Sequence, residues 1–203
     1  MISLLVTIII ISISCYIYDF ELKILLFEKL NLHPFDKQLR DTEKEYDIFL
    51  LYNRDDEVWV VNTLRVGLEE FGYKLCIGAR DFTVGAANTA ELANALTNSH
   101  RVIVVVSQSF INNDRDMSDF YHACEYQSAT TRQRFIILVK IRERLNFRDH
   151  DVLKTYLSTN YFVPIRARRF WPRLRYWLPP LQKKRIPAST DNIDEEEEPS
   201  QII

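Results

Sequence analysis

From residue 46 onward the chain alternates short apolar runs with amphipathic stretches. The runs are "YDIFLLY" (46–52), "YKLCI" (73–77), "RVIVVVS" (101–107), "RFIILVKI" (134–141) and a short one at 161–163. Run 101–107 is β-branched and shows no alternation of polarity, so it reads as a strand buried on both faces. Between the first two runs, Val58, Val61, Leu64, Leu68 and Phe71 recur at three- and four-residue steps. They predict one apolar helical stripe, closed by Gly72 at the position after the helix end. Asn88 and Glu91 have the spacing of a capping box, which starts a helix running to about Ser99. Further helices are predicted at 118–130, 149–157 and 168–178. Parallel strands need crossovers, and crossovers pack as helices. The alternation therefore predicts an α/β, flavodoxin-like, doubly wound sheet of five parallel strands covered on both sides.

The flanks differ in composition. Residues 2–18 ("ISLLVTIIIISISCYIY") carry no charge. Seventeen helical residues reach about 25 Å, the lower edge of a bilayer-spanning length, and a transmembrane helix is predicted there. No basic residue precedes it and no small-residue cleavage site follows, which disfavours a signal peptide. Lys23, Lys29, Lys37 and Arg40 lie on its C-terminal flank and place the bulk of the chain in the cytosol. Tyr16 and Tyr18 suit the interface, and Cys15 is either an acylation site or an inert apolar residue. Residues 19–44 read as a juxtamembrane linker, whose stretch 22–32 is a tether or a short surface helix. Residues 45–179 form the folded domain, and 180–203, with an acidic run and two prolines after Pro180, a disordered tail.

Composition narrows the chemistry. With 26 basic and 28 acidic residues, no global charge draws the chain to nucleic acid. There are four glycines and neither a G-x-G-x-x-G nor a G-x-x-x-x-G-K-[ST] motif, which argues against ordinary nucleotide binding. Cys15, Cys76 and Cys124 form no disulfide framework or zinc ligand set. His33, His100, His122 and His150 lack metal spacing and are expected mostly at the surface, and no Ser/His/Asp constellation is legible. No cofactor and no metal are expected. The basic run Arg166, Arg168, Arg169, Arg173 and Arg175 alternates with aromatics at helical spacing, so the aromatics are core and the arginines a solvated face.

One segment stands apart. "ARDFTVGAAN" (79–88) follows the second strand and precedes a helix, the place where doubly wound sheets expose functional loops. Arg80 and Asp81 offer a charge pair, Phe82 an aromatic anchor, and Gly85 a backbone free to adopt positive φ. With Thr83 and Val84, these compose an interaction surface of the kind in which Arg and aromatic residues carry most of the energy. Internal pairing of Arg80 with Asp81, and burial of Phe82, are the competing structural reading.

The text now resembles a family. "YDIFLLY" is similar to the first box of TIR (Toll/interleukin-1 receptor) domains, "RDFTVG" to the second, and Phe170–Trp171 to the third, in order. "YKLCIGARDF", "SHRVIVVVSQSF" and "FWPRLRYWLP" resemble the cytoplasmic domains of Toll-type receptors. The resemblance covers about Glu45 to Pro179. It implies a signalling module that associates with TIR domains of itself, related receptors and cytosolic adaptors, with residues 80–85 as the main contact element. Val84 stands where many vertebrate members have proline, so that stiffening is absent. Tyr46, Asp47, Phe49, Phe170 and Trp171 take structural roles, Asp47 by holding a neighbouring loop. Replacing Arg80 or Phe82 is expected to weaken association without shifting the unfolding midpoint. No leucine-rich or immunoglobulin sequence precedes the span, so the chain is a receptor fragment or a protein reliant on a partner. Some TIR domains resemble glycohydrolases that cleave NAD with a glutamate on the helix after the third strand. Here "SDFYHACEYQSA" offers Glu125, which needs one extra residue upstream to align; otherwise Cys124 falls there.

Overall fold

The computed structural model describes Ile24 and residues 44–83, 88–130, 134–141, 144–147, 150–158 and 162–180. The predicted span 2–18, nearly all of the linker 19–44 and the tail beyond 180 lie outside the described residues. No helix among those described is long and apolar enough to cross a membrane.

Five parallel strands form one sheet: β1 (Tyr46–Leu51), β2 (Leu75–Ile77), β3 (Ser99–Val106), β4 (Ile136–Lys140) and β5 (Phe162–Pro164), in the order β2-β1-β3-β4-β5. Phe49 is paired with Cys76 on one side and Val102 on the other, while Val139 aligns with both Val105 and Val163. After a 3-10 turn (Arg54–Asp56), helix α1 runs through an α segment (Glu57–Trp59), a π segment (Val60–Arg65) and a second α segment (Val66–Glu70). The remaining helices are α2 (Gly78–Asp81), α3 (Asn88–Asn98), α4 (Gln108–Ile111), α5 (Asp114–Ala129), α6 (Asp151–Leu157) and α7 (Phe170–Trp177).

Strand alternation divides the core into two layers. Ile48, Leu50, Ile103, Val105, Ile137 and Val139 face α1 and α7, meeting Val60, Leu64, Leu68, Leu174 and Trp177. Phe49, Leu51, Val102, Val104, Ile136 and Leu138 face α3, α5 and α6, meeting Leu92, Leu96, Phe120 and Leu153. All eight residues of β3 are buried: Val102 to Val106 as their apolar text requires, and Ser99, His100 and Arg101 with them. The expected doubly wound architecture is thus observed.

Four local expectations change. Val58 is 73% exposed, and Val60 joins the predicted Leu64 and Leu68 in the buried stripe. The wider π turn rotates the face by about one residue per turn, a phase shift that a 3.6-residue period does not anticipate. Gly72 does take φ 94°, and the Tyr73 and Gly72 amides donate to Leu68 and Glu69 carbonyls at 3.1 and 2.9 Å, which closes the helix. Helix α5 begins at Asp114, earlier than predicted, because the Asn113 side chain accepts from the Arg115 and Asp116 amides. His100 is the buried exception among the described histidines, which are expected mostly at the surface. Ile24, placed by the sequence in a tether or a short surface helix, is helical and, unlike either, fully buried in the layer that holds Trp177 and Leu178.

Candidate functional site

The carboxyl end of β2 turns directly into α2, a single helical turn too short to show any sequence period. No side chain caps it from outside. Asp81 reaches back instead: its Oδ2 accepts the Ile77 amide at 2.7 Å. Arg80 closes the arrangement. Its Nε donates to Asp81 Oδ1 at 2.7 Å and Nη2 to Oδ2 at 2.9 Å, a two-pronged pair whose planar geometry suits a guanidinium. Nη2 also donates to the Leu75 carbonyl at 2.6 Å, and Nη1 lies 3.5 Å from Glu69 Oε1. Arg80 therefore ties the end of α1, the outer edge of β2 and α2 together.

Electrostatics follow this geometry. Burial pulls the Asp81 carboxyl upward, but the Arg80 hydrogen bonds, the Ile77 amide and the Arg80 charge outweigh it and hold Asp81 below the usual carboxylate range. The Asp81 hydrogen bond raises the Arg80 guanidinium against partial desolvation. Phe82 is half-buried and stacks on Phe49, with ring centroids 6.0 Å apart and planes at 24°. A Cβ at Gly78 would sit 3.3 Å from the Phe82 ring, so glycine there leaves the ring its seat. Thr83 is exposed. Val84 and Gly85 lie outside the described residues. Of the predicted contact residues, then, Arg80, Asp81 and Phe82 form the loop's base, and Thr83 stands clear of it.

A second polar group was not anticipated. It lies at the carboxyl ends of β1 and β3, the switch point of the sheet. Asn53 Nδ2 donates to Asp116 Oδ2 at 2.5 Å, and Ser107 Oγ donates to Asp56 Oδ2 at 2.5 Å. Asn53 Oδ1 accepts the Asp55 amide at 2.9 Å, and Ser107 Oγ accepts the Phe110 amide at 3.1 Å. Burial, opposed by hydrogen bonds and the Arg115 charge, raises both Asp116 and Asp119. Polar text after each strand ("NRDD", "SQ") was the available signal. The group fastens the turn after β1 to α4 and α5, and no cluster of metal-ligating side chains occurs among the described residues.

The TIR domain family profile matches residues 45–147, half of the chain, starting one residue before β1 and spanning both of these sites. The chain belongs to the TIR-domain family. Among its relatives, Drosophila melanogaster Protein toll is 29% identical over 171 residues, covering 81% of this chain and 15% of that protein. Homo sapiens Toll-like receptor 4 is 35% identical over 143 residues, covering 66% of this chain and 17% of the receptor. The chain thus spans under a fifth of the length of either. Among solved structures, the TIR domain of the Toll-related receptor TRR-2 from Hydra magnipapillata is 29% identical, covering 55% of this chain and 91% of that one, with a TM-score of 0.43.

The other segments that resemble TIR boxes have structural surroundings. In the first, Asp47 Oδ2 accepts the Lys74 amide at 2.8 Å across the start of the sheet, the Lys74 ammonium lies 5.1 Å from the Tyr46 ring, and Phe49 is core. In the third, Phe170 and Trp171 are half-buried and edge-to-face at 5.1 Å, and Trp171 meets Phe71 of the α1 turn at 5.6 Å. Glu125 projects from α5 with its side chain 83% exposed, 3.6 Å from His122 Nδ1. Both line an open groove of about 610 Å³ between α3 and α5, whose walls include Leu92, Leu96 and Tyr126.

Proposed function

We propose that this chain is a membrane-anchored signalling protein of the Toll-like receptor type. Its TIR domain associates with TIR domains of a second copy and of cytosolic adaptors, in innate immune signalling. Residues 2–18 form its single span, the domain lies on the cytoplasmic side, and the contact surface is the loop at residues 80–85. The observation that carries this reading is the built base of that loop. Arg80 joins Glu69, Leu75 and Asp81, and Phe82 is stacked on the core, so the following residues are presented from a fixed platform. A preorganised loop loses less entropy on association. Membrane confinement adds effective concentration without any new contact.

The geometry also changes the test. Arg80 and Phe82 both hold the loop, so replacing either is now expected to shift the unfolding midpoint. Thr83→Arg adds bulk and charge at an exposed position and leaves the base intact. It is expected to lower self-association and adaptor recruitment by about ten-fold with an unchanged midpoint, a cost of ~1.4 kcal/mol. Unchanged association would remove this loop from the interface.

A second reading rests on one observation, that Glu125 and His122 share the groove between α3 and α5. That reading is NAD cleavage with Glu125 as the catalytic carboxylate. It predicts nicotinamide release from NAD by the purified chain, abolished by Glu125→Ala. Absence of turnover at micromolar protein would end it.

A further inference from the structure

Ile24 is helical and 0% exposed, and it belongs to the buried cluster on the α1 and α7 side of the sheet with Val60, Leu64, Leu174, Trp177 and Leu178. A side chain loses all contact with water only where others close over it at interior packing density. Ile24 is therefore part of the domain core, although β1 begins only at Tyr46. Burial of one isoleucine favours the docked arrangement by about ten- to hundred-fold. A second fastening lies just ahead of β1, where the Lys44 ammonium donates to the Thr97 carbonyl at the end of α3.

These two points reset the length that separates the domain from a span at residues 2–18. Free, residues 19–44 would reach about 90 Å when extended and average about 30 Å as a flexible coil. With Ile24 seated, the stretch from Tyr18 to Ile24 alone sets the separation, at most about 20 Å. The chain from Ile24 to Lys44 starts and ends on the domain, so its length sets no distance from the bilayer.

We propose that Ile24 is a docking residue that holds the domain against the bilayer surface by its α1 and α7 side. The opposite side, with α3, α5, α6 and the groove between α3 and α5, is turned away from the lipid. This deepens the reading above and rests on it for the span alone; the seat of Ile24 within the domain stands separately. Two copies held in this way meet at one height and in one orientation, which reduces the rotational freedom lost on association.

The test places a flexible insertion on either side of Ile24. A Gly/Ser segment of about twelve residues, ~20 Å as a coil, goes between Asp19 and Phe20 in one chain and between Asp36 and Lys37 in another. Each chain is reconstituted in phosphatidylcholine nanodiscs that carry an acceptor dye on a lipid headgroup. A donor dye sits on Asn62→Cys of α1 or on Ser128→Cys of α5, both exposed positions, with Cys15 and Cys124 replaced by Ser and Cys76 buried. Without an insertion, energy transfer is expected to be stronger from residue 62 than from residue 128. The insertion before Ile24 is expected to lose most of the transfer from residue 62, and the insertion after it to lose none. Equal losses from the two insertions, or equal transfer from the two donor positions, overturn the proposal. Urea unfolding in detergent reads the seat itself: Ile24→Ala should lower the folding constant about thirty-fold and the milder Ile24→Val about five-fold. Unchanged midpoints in both would place Ile24 on lipid and end the proposal. If the chain fails to enter nanodiscs while Ile24→Ala still lowers the midpoint, the span reading falls and takes the bilayer contact with it, leaving only the seat.

Discussion

Gly67→Ala tests how Phe170–Trp171, the segment that resembles the third TIR box, is held. Gly67 lies in the last α segment of α1, under the Trp171 indole. A Cβ there would come within 2.9 Å of one indole carbon and closer still to two others. Elsewhere in a helix this substitution stabilises by ~1 kcal/mol, because glycine has more backbone entropy to lose. Here the indole must move. Overpacking costs ~1–3 kcal/mol. Swinging the ring away also weakens its edge-to-face contacts with Phe71 and Phe170, each of which contributes ~0.5–1.5 kcal/mol. The steric and aromatic losses exceed the propensity gain, leaving a net destabilisation of ~1–2 kcal/mol. The measurement is urea unfolding of the full chain in detergent, followed by circular dichroism so that Trp171 is not its own reporter. The midpoint should fall with an unchanged slope. On a Trp171→Ala background the same substitution should be stabilising by ~1 kcal/mol, since the obstacle is gone. A gain in stability with Trp171 present would refute the packing of α7 on α1 through this pair.

Other outcomes follow from titratable groups. Asp81 has its folded pKa below the ordinary 3.8, so its contribution is fully present above that value and is lost as pH falls through the folded pKa. Asp116 and Asp119 are raised, so they favour the folded state more as pH falls from neutrality toward 3.8. Unfolding midpoints should therefore rise and then fall on acidification, and Asp119→Asn should flatten the rising limb; a monotonic fall in wild type would contradict these environments. Burial pushes the thiol of Cys76 up to about 12 and that of Cys124 to about 11, so neither should be alkylated by iodoacetamide in the native protein at pH 7.5. Mass spectrometry before and after denaturation decides this.

The order of strands and helices was legible because a strand buried on both faces has to be written as an apolar run. Val102 to Val106 admit no other reading once both sheet faces are covered. Less was legible where side chains act over a distance. A single turn such as α2 has no period, and nothing in the text around Arg80 says that its guanidinium will meet the carbonyl of Leu75 and the carboxylate of Glu69. The π segment of α1 is hidden for a related reason: Val58 and Val60 are chemically alike, and only the helix winding decides which one is buried. Gly67 reads as an unremarkable helix interior until Trp171, far along the chain, is placed above it.

The internal use of Arg80 and Asp81 bears on how the loop can recognise a partner. Both charges are satisfied within the domain, so an incoming surface would have to break a two-pronged ion pair to use them, at a cost in desolvation that exposed pairs seldom return. Recognition by this loop is therefore better served by residues beyond the platform, with Thr83 the first of them. Under the proposed interface the charge pair would fix the base of the loop, and the residues after it would supply specificity. Exchanging the two charges, by Arg80→Asp together with Asp81→Arg, would keep net charge and composition and still misdirect the loop. The bonds to Leu75 and Glu69 need a cation at position 80, and the Ile77 amide needs an acceptor at position 81. Association should fall in that double variant at least as far as in Thr83→Arg, accompanied by a lowered midpoint that Thr83→Arg does not show.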